Sequence, residues 1–248
     1  MSTLAIVNLT FGVISSAIMI ALCIPQLISI YKTKQVGNIS YATFLIYFFG
    51  GFLFSLIMVI KAGVGTYEFN IDKTQDTDPI INILGNVIFT ILMSFTITSF
   101  FIFDKNKSKG FKIGIGVMLW TLTTFILIWA IMAYASPKFR LNQSPSNVVM
   151  TILTILATCC TALPFSIQIV KTIKAKSAEG LSITMLYSGL VLNMTLFIYL
   201  CTLLPIVAPM FWIVVVFQSI AILIYTTQII LYYVFKKQSQ VAAQVSAE

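Results

Sequence analysis

The chain has 248 residues, 59% of them hydrophobic and only 9% charged, and its mean hydropathy is +1.00. That balance excludes an ordinary soluble domain of this size and points to a bilayer. The formal charge of +8 does not indicate nucleic acid, because the lysines fall in short loops between apolar runs, and the absence of histidine excludes serine–histidine and cysteine–histidine catalysis.

A hydrocarbon core about 30 Å thick needs roughly 20 apolar helical residues, because lipid offers the backbone no hydrogen-bonding partner. Seven stretches meet that length: residues 4–31, 41–60, 79–103, 111–134, 147–173, 181–203 and 209–235. The first lacks a preceding Lys or Arg and exceeds the apolar core of a signal peptide, so it is expected to remain as a mature helix. Cys23, Cys159, Cys160 and Cys201 all lie within apolar runs, where a free thiol behaves as a small buried hydrophobe. No disulfide, metal site or cofactor is expected. The polar stretch 236–248 is expected to be a disordered tail.

Alternate loops differ in charge. Lys32, Lys34, Lys105, Lys107, Lys109, Lys112, Lys171, Lys174, Lys176, Lys236 and Lys237 fall on one side, 11 of the 15 basic residues. Lys61, Lys73, Lys138 and Arg140 fall on the other, with the acidic residues Glu68, Asp72, Asp76 and Asp78. Cytoplasmic loops carry the basic excess, so the N-terminus is expected outside and the C-terminus in the cytoplasm.

The chain also repeats itself. An offset of 142 places Gln26 on Gln168, Lys32 on Lys174, Lys34 on Lys176 and Ser40 on Ser182; upstream, an offset of 139 places Asn8 on Asn147 and Pro25 on Pro164. The three-residue change is close to one helical turn, so the second copy should carry an extra turn between its proline and its loop. Residues 1–103 and 147–235 then form two three-helix units, and 104–146 holds a linker helix with its flanking loops. A single helix between them makes both units enter the membrane in the same direction, a known plan of secondary transporters.

The stretch from Ile24 through Pro25 and Gln26 to Ser40, and the ending Lys176-Ser177-Ala178-Glu179-Gly180-Leu181-Ser182, resemble the proline–glutamine loops of the PQ-loop superfamily, which includes the SWEET and SemiSWEET sugar transporters. The resemblance implies an all-α membrane protein of seven transmembrane helices, built as two parallel three-helix bundles around a linker helix. It also implies gating at Pro25 and Pro164, and a pocket asparagine on the third helix, which Asn82 in Asn82-Ile83-Leu84-Gly85 would supply. An offset of 130 from Pro79 to Pro209 sets Trp212 opposite Asn82, a departure from a symmetrical pocket.

Several residues are candidates for chemistry on their own account. Proline inside a helix removes an N–H and clashes with the carbonyl four residues back, here Ala21 and Cys160, so Pro25 and Pro164 should kink their helices, as hinges or as static bends. A neutral polyol needs amides that both donate and accept, and an aromatic face for its C–H side. Asn82, Asn86, Asn193, Trp212 and Gln218 answer that need, with Gln228 further along, although intramembrane amides also serve as glue between helices. Gln26 and Gln168, nearer the cytoplasmic mouth, are expected as gate contacts. Tyr47, Tyr187, Tyr199 and Tyr225 are candidate gate or pocket aromatics, or interfacial anchors. Asn147, Thr151, Thr154, Thr158, Thr161 and Gln168 make one polar stripe, lining a water path or packing against the fourth or sixth helix.

No Asp, Glu, Lys or Arg lies deep within any predicted helix. Proton-coupled carriers place such a group mid-membrane, where it is expensive and therefore conspicuous. The expected function is facilitative uniport of a small neutral solute, a sugar first, through the plasma membrane or an endomembrane. The expected partners are that solute and membrane lipids, with a homo-oligomer left open. The alternatives are a proton-coupled amino-acid carrier and a non-transporting receptor or trafficking adaptor.

Overall fold

The computed structural model describes residues 3–64, 80–139, 146–203, 206 and 209–245. The acidic residues Glu68, Asp72, Asp76 and Asp78, with Lys73 and Arg140, lie outside them. Every described element is helical: α1 (Thr3–Ala21), α2 (Ile24–Thr33), α3 (Tyr41–Val64), α4 (Ile80–Phe103), α5 (Lys109–Ala135), α6 (Asn147–Ala162), α7 (Pro164–Ala175), α8 (Ile183–Leu203) and α9 (Pro209–Val245), with a 3-10 turn at Pro137–Phe139. Among the described residues, six segments are long and apolar enough to cross a bilayer, and α3 contributes a shorter apolar run over Tyr41–Ile57.

The first and fifth expected helices are each interrupted. Proline does more than bend them: α1 stops at Ala21 and α2 restarts at Ile24, while α6 stops at Ala162 and α7 restarts at Pro164. Each proline thereby occupies the first turn of the new helix, where its missing N–H has no partner to lose. The added length in the second copy is present, with 12 residues in α7 against 10 in α2. At the far end α9 continues to Val245, so the stretch from residue 236 expected as a disordered tail is helical that far. Its run of Gln, Ala and Val without Gly or Pro lets the helix propagate.

Helix α4 packs against α1, α2 and α3, and α9 packs against α6, α7 and α8. Between these two groups, α1 meets α8 and α3 meets α6. Helix α5 lies against α4 and α3, where Ser94 and Thr123 share a hydroxyl hydrogen bond of 2.8 Å and Trp120 Nε1 donates to Thr98 Oγ1 at 3.2 Å. Because lipid is as apolar as leucine, close packing rather than water exclusion holds such helices together. The contact of α3 with α6 depends on Gly50, whose place for a Cβ is taken by the Thr161 methyl and the Cys160 backbone.

The main buried cluster gathers Leu22, Cys23, Phe44, Tyr47, Phe48, Phe89, Phe100, Phe165 and Tyr225. It sits against both helix breaks, through Leu22 and Cys23 at the first and Phe165 at the second.

Candidate functional site: a reciprocal glutamine clasp

Both loops that follow the broken helices end in a serine that caps the next helix. Ser40 Oγ accepts from Thr43 N at 3.3 Å at the start of α3, and Ser182 Oγ accepts from Met185 N at 3.3 Å at the start of α8. In a capping box the residue at the third helical position would return a side-chain bond to the serine N–H. Thr43 and Met185 do not; the other repeat does it. Ser182 N donates to Gln26 Oε1 at 2.9 Å, and Ser40 N donates to Gln168 Oε1 at 2.7 Å.

Each glutamine also spends its donor on the same opposing loop. Gln26 Nε2 donates to Gly180 O at 2.8 Å and Gln168 Nε2 donates to Asn38 O at 3.1 Å. Only an amide of this length supplies an acceptor for one backbone group and a donor for another two residues away. Both side chains are fully buried, so each of these bonds replaces water that the loop groups would otherwise need. The loops touch directly as well. Asn38 N donates to Glu179 O at 3.0 Å, and Gly37 and Gly180, at φ of 56° and 86°, face each other so closely that neither position has room for a Cβ.

The clasp is flanked by charge. Tyr41 Oη donates to Asp104 Oδ2 at 2.6 Å, Asn106 N donates to Asp104 Oδ1 at 2.7 Å, Lys112 Nζ donates to the Asp104 carbonyl, and Lys107 stands over the Tyr41 ring. Partial burial pushes the Asp104 carboxyl up. The Tyr41 and Asn106 hydrogen bonds and the nearby lysines outweigh it and leave the carboxyl below its ordinary value. Lys171 Nζ reaches from α7 to the Ile39 carbonyl in the opposite loop. Three loops of the lysine-rich side therefore meet at one end of the molecule.

Directly beneath lies an aromatic plug. Phe165, next to Pro164, packs on Tyr225 with ring centres 4.8 Å apart and on Tyr47 at 5.9 Å, and the Tyr47 and Tyr225 hydroxyls are 3.5 Å apart. Thr43 Oγ1 donates to the Pro164 carbonyl at 3.0 Å, which ties α3 to the second helix break. At the 142-residue offset the counterpart of Tyr47 is Gly189, and the Tyr225 ring fills the space a side chain would take there. The plug is thus assembled asymmetrically.

The other buried candidates lie on α4, α8 and α9. Asn86 is buried on α4, Gln218 is buried on α9, and Asn193 is buried on α8 with its Nδ2 donating to Gly189 O at 2.7 Å. The Asn82 side chain lies outside the described residues, as does that of Asn147. Trp212 does not join them: it is 57% exposed beside Phe211, because six residues of helix turn it well away from the buried face that holds Gln218. Tyr187 is likewise 44% exposed, facing Tyr233, whereas its neighbours Met185 and Leu186 turn inward. Tyr199 packs against Gly12 where α1 meets α8.

The threonine stripe is spent on its own helix. Thr154, Thr158 and Thr161 donate to the carbonyls of Met150, Thr154 and Ala157 at 2.8, 2.7 and 3.1 Å, and Thr161 packs on α3, not on the fourth or sixth expected helix. Sequence reasoning singled out both glutamines and both serines through the repeat, but not that each glutamine serves the other copy's serine. The serine that opens each following helix without a Glu or Gln three residues on was the available signal.

Residues 7–65 and 149–205 match the family model described as PQ loop repeat. No curated protein gives a significant sequence match. Among solved structures, a eukaryotic SWEET transporter is similar in fold, with a TM-score of 0.54 and 13% sequence identity, the match covering 95% of this chain and 100% of that one.

Proposed function

Since this chain, with one PQ-loop repeat in each half, belongs to the PQ-loop superfamily and is an integral, multi-pass membrane protein, we propose that it carries a small neutral solute across its membrane by alternating access. In this reading two three-helix units, 1–103 and 147–235, rock about the helix breaks at Pro25 and Pro164, with α5 joining them, and the lysine-rich end faces the cytoplasm. The clasp is the cytoplasmic gate, closed in this conformation.

One observation carries the proposal: the loops of the two halves are joined mainly by reciprocal amide-to-backbone bonds. Each bond contributes about 1 kcal/mol net. Such a set closes a face firmly, yet all of it breaks when the halves separate, because every bond crosses between them. The solute site is assigned to the buried amides Asn86, Asn193 and Gln218, with Asn82 at the outer end of α4. Gln218 Oε1, buried without a partner, leaves an acceptor for a hydroxyl of a sugar-like solute.

The test is flux in proteoliposomes. The protein should speed passive equilibration of a neutral sugar or polyol, unaffected by a pH gradient. Flux strictly dependent on a proton gradient would sink the uniport reading. It would favour a proton-coupled carrier, for which Asp104 beside the gate offers a titratable group.

A further inference from the structure

The two sides of the clasp are not equally supported. Gln168 Nε2 lies 3.3 Å from Thr172 Oγ1, one turn along α7, and Thr172 Oγ1 accepts a second amide N–H, from Gln228 Nε2 on α9, at 3.0 Å. Gln168, Thr172 and Gln228 are all fully buried. At the 142-residue offset the first copy has Ile30 in place of Thr172, equally buried but without a hydroxyl. Gln26 therefore has no equivalent relay behind it.

Gln228 is an unusual choice for its position. It spends one donor on Thr172 and leaves its Oε1 buried with no hydrogen-bond partner. Leucine would fill the same space without stranding an acceptor, so packing alone does not account for an amide there.

We infer that Gln228 is a positioning residue. Acting through Thr172, it fixes the Gln168 amide against Asn38 and Ser40, so that Gln168 is the anchored side of the gate and Gln26 the side that lets go first. A free glutamine loses much rotamer freedom each time it docks. A glutamine whose partner Thr172 is itself fixed by Gln228 from α9 loses less. Opening then begins where Gln26 leaves Gly180 and Ser182, and α9 moves with α7 as one body. The inference rests on the gate reading above, and its test separates the two.

The experiment uses the full chain in proteoliposomes, with Cys159, Cys160 and Cys201 replaced by alanine and spin labels on Lys32→Cys and Lys174→Cys. These are exposed positions at the ends of α2 and α7. Double electron–electron resonance then reads the ratio of open to closed gate. Gln228→Leu should raise that ratio up to roughly fivefold, because a Gln168 no longer held beforehand gives up its rotamer freedom each time it docks. Added to Gln168→Leu it should change nothing further, whereas added to Gln26→Leu its effect should multiply. A purely structural role for Gln228 would not distinguish the two glutamines.

An unchanged distribution in Gln228→Leu overturns the inference, as does an effect that multiplies equally with both glutamine variants. If Gln228→Leu fails to fold, Thr172→Val removes the same relay and must give the same pattern. If neither Gln26→Leu nor Gln168→Leu opens the face, the gate reading fails and takes this inference with it.

Discussion

Replacing Gly37 by alanine should force the clasp apart by an amount the structure sets. A Cβ at Gly37 would stand 2.6 Å from the Glu179 carbonyl oxygen and 2.9 Å from Gly180 N, both backbone atoms of the opposite loop. Backbone cannot swing aside as a side chain can, so the loops must separate by about 0.8 Å to restore an ordinary 3.4 Å contact. That stretches the Asn38 N to Glu179 O bond from 3.0 Å to about 3.8 Å, beyond hydrogen-bonding range, and weakens the two bonds Gln26 makes to Gly180 and Ser182. At about 1 kcal/mol for each bond, the closed face should lose about 2–3 kcal/mol, or roughly 30- to 140-fold in its ratio to the open one. Alanine at φ 56° is strained as well, which further lowers the stability of the clasped face.

Amide hydrogen exchange measures the shift directly, because the N–H groups of Asn38, Ser40 and Ser182 are protected only while the loops are clasped. Peptides covering residues 36–43 and 178–185 should exchange faster in Gly37→Ala by that factor, with exchange elsewhere little changed. Gly110→Ala is the control, since nothing lies within 4 Å of the Cβ it would add. Wild-type protection at Asn38 and Ser182 in a folded Gly37→Ala protein would refute the account of the loop contact.

Two further outcomes follow from the same geometry. Pro25→Ala and Pro164→Ala restore an N–H that can bond to Ala21 and Cys160, rejoining α1 to α2 and α6 to α7, so solute flux should slow severalfold while solute binding changes little; unchanged turnover in both variants would make the prolines static breaks. Asp104, held below its ordinary value of 3.8, should contribute stability that is fully present above about pH 4 and lost as pH falls through its lower folded value. Thermal melts of Asp104→Asn should accordingly show a deficit of less than about 1 kcal/mol at pH 7 that fades below pH 4, and a deficit that grows in acid would refute the assigned pairing.

How much of this was legible in the chain differs from residue to residue. Pro25 and Pro164 marked the two interruptions because proline acts on its own backbone, a local effect that needs no neighbour. They also showed the extra length of α7, because the change of offset between them and the loops is a matter of counting. The helix spans followed from the same kind of evidence, since lipid forces the backbone to satisfy itself within each segment. Asn86, Asn193 and Gln218 were recognisable as intramembrane amides and are buried, but the side each faces depends on which helices meet.

What the sequence by itself determined is therefore local or repeated: an apolar helical chain, interrupted at a proline in both copies, with matched glutamines and serines. What only the tertiary structure decided is pairing. Gln26 and Ser182 are 156 residues apart, and no periodicity within either copy says that a glutamine serves the other copy's loop. Nor could spacing show that Trp212 and Tyr187 turn outward, or that Thr172 and Gln228 stand behind only one side of the clasp. Those facts depend on which faces of distant helices come into contact, a choice made by close packing at residues such as Gly50 and Gly189.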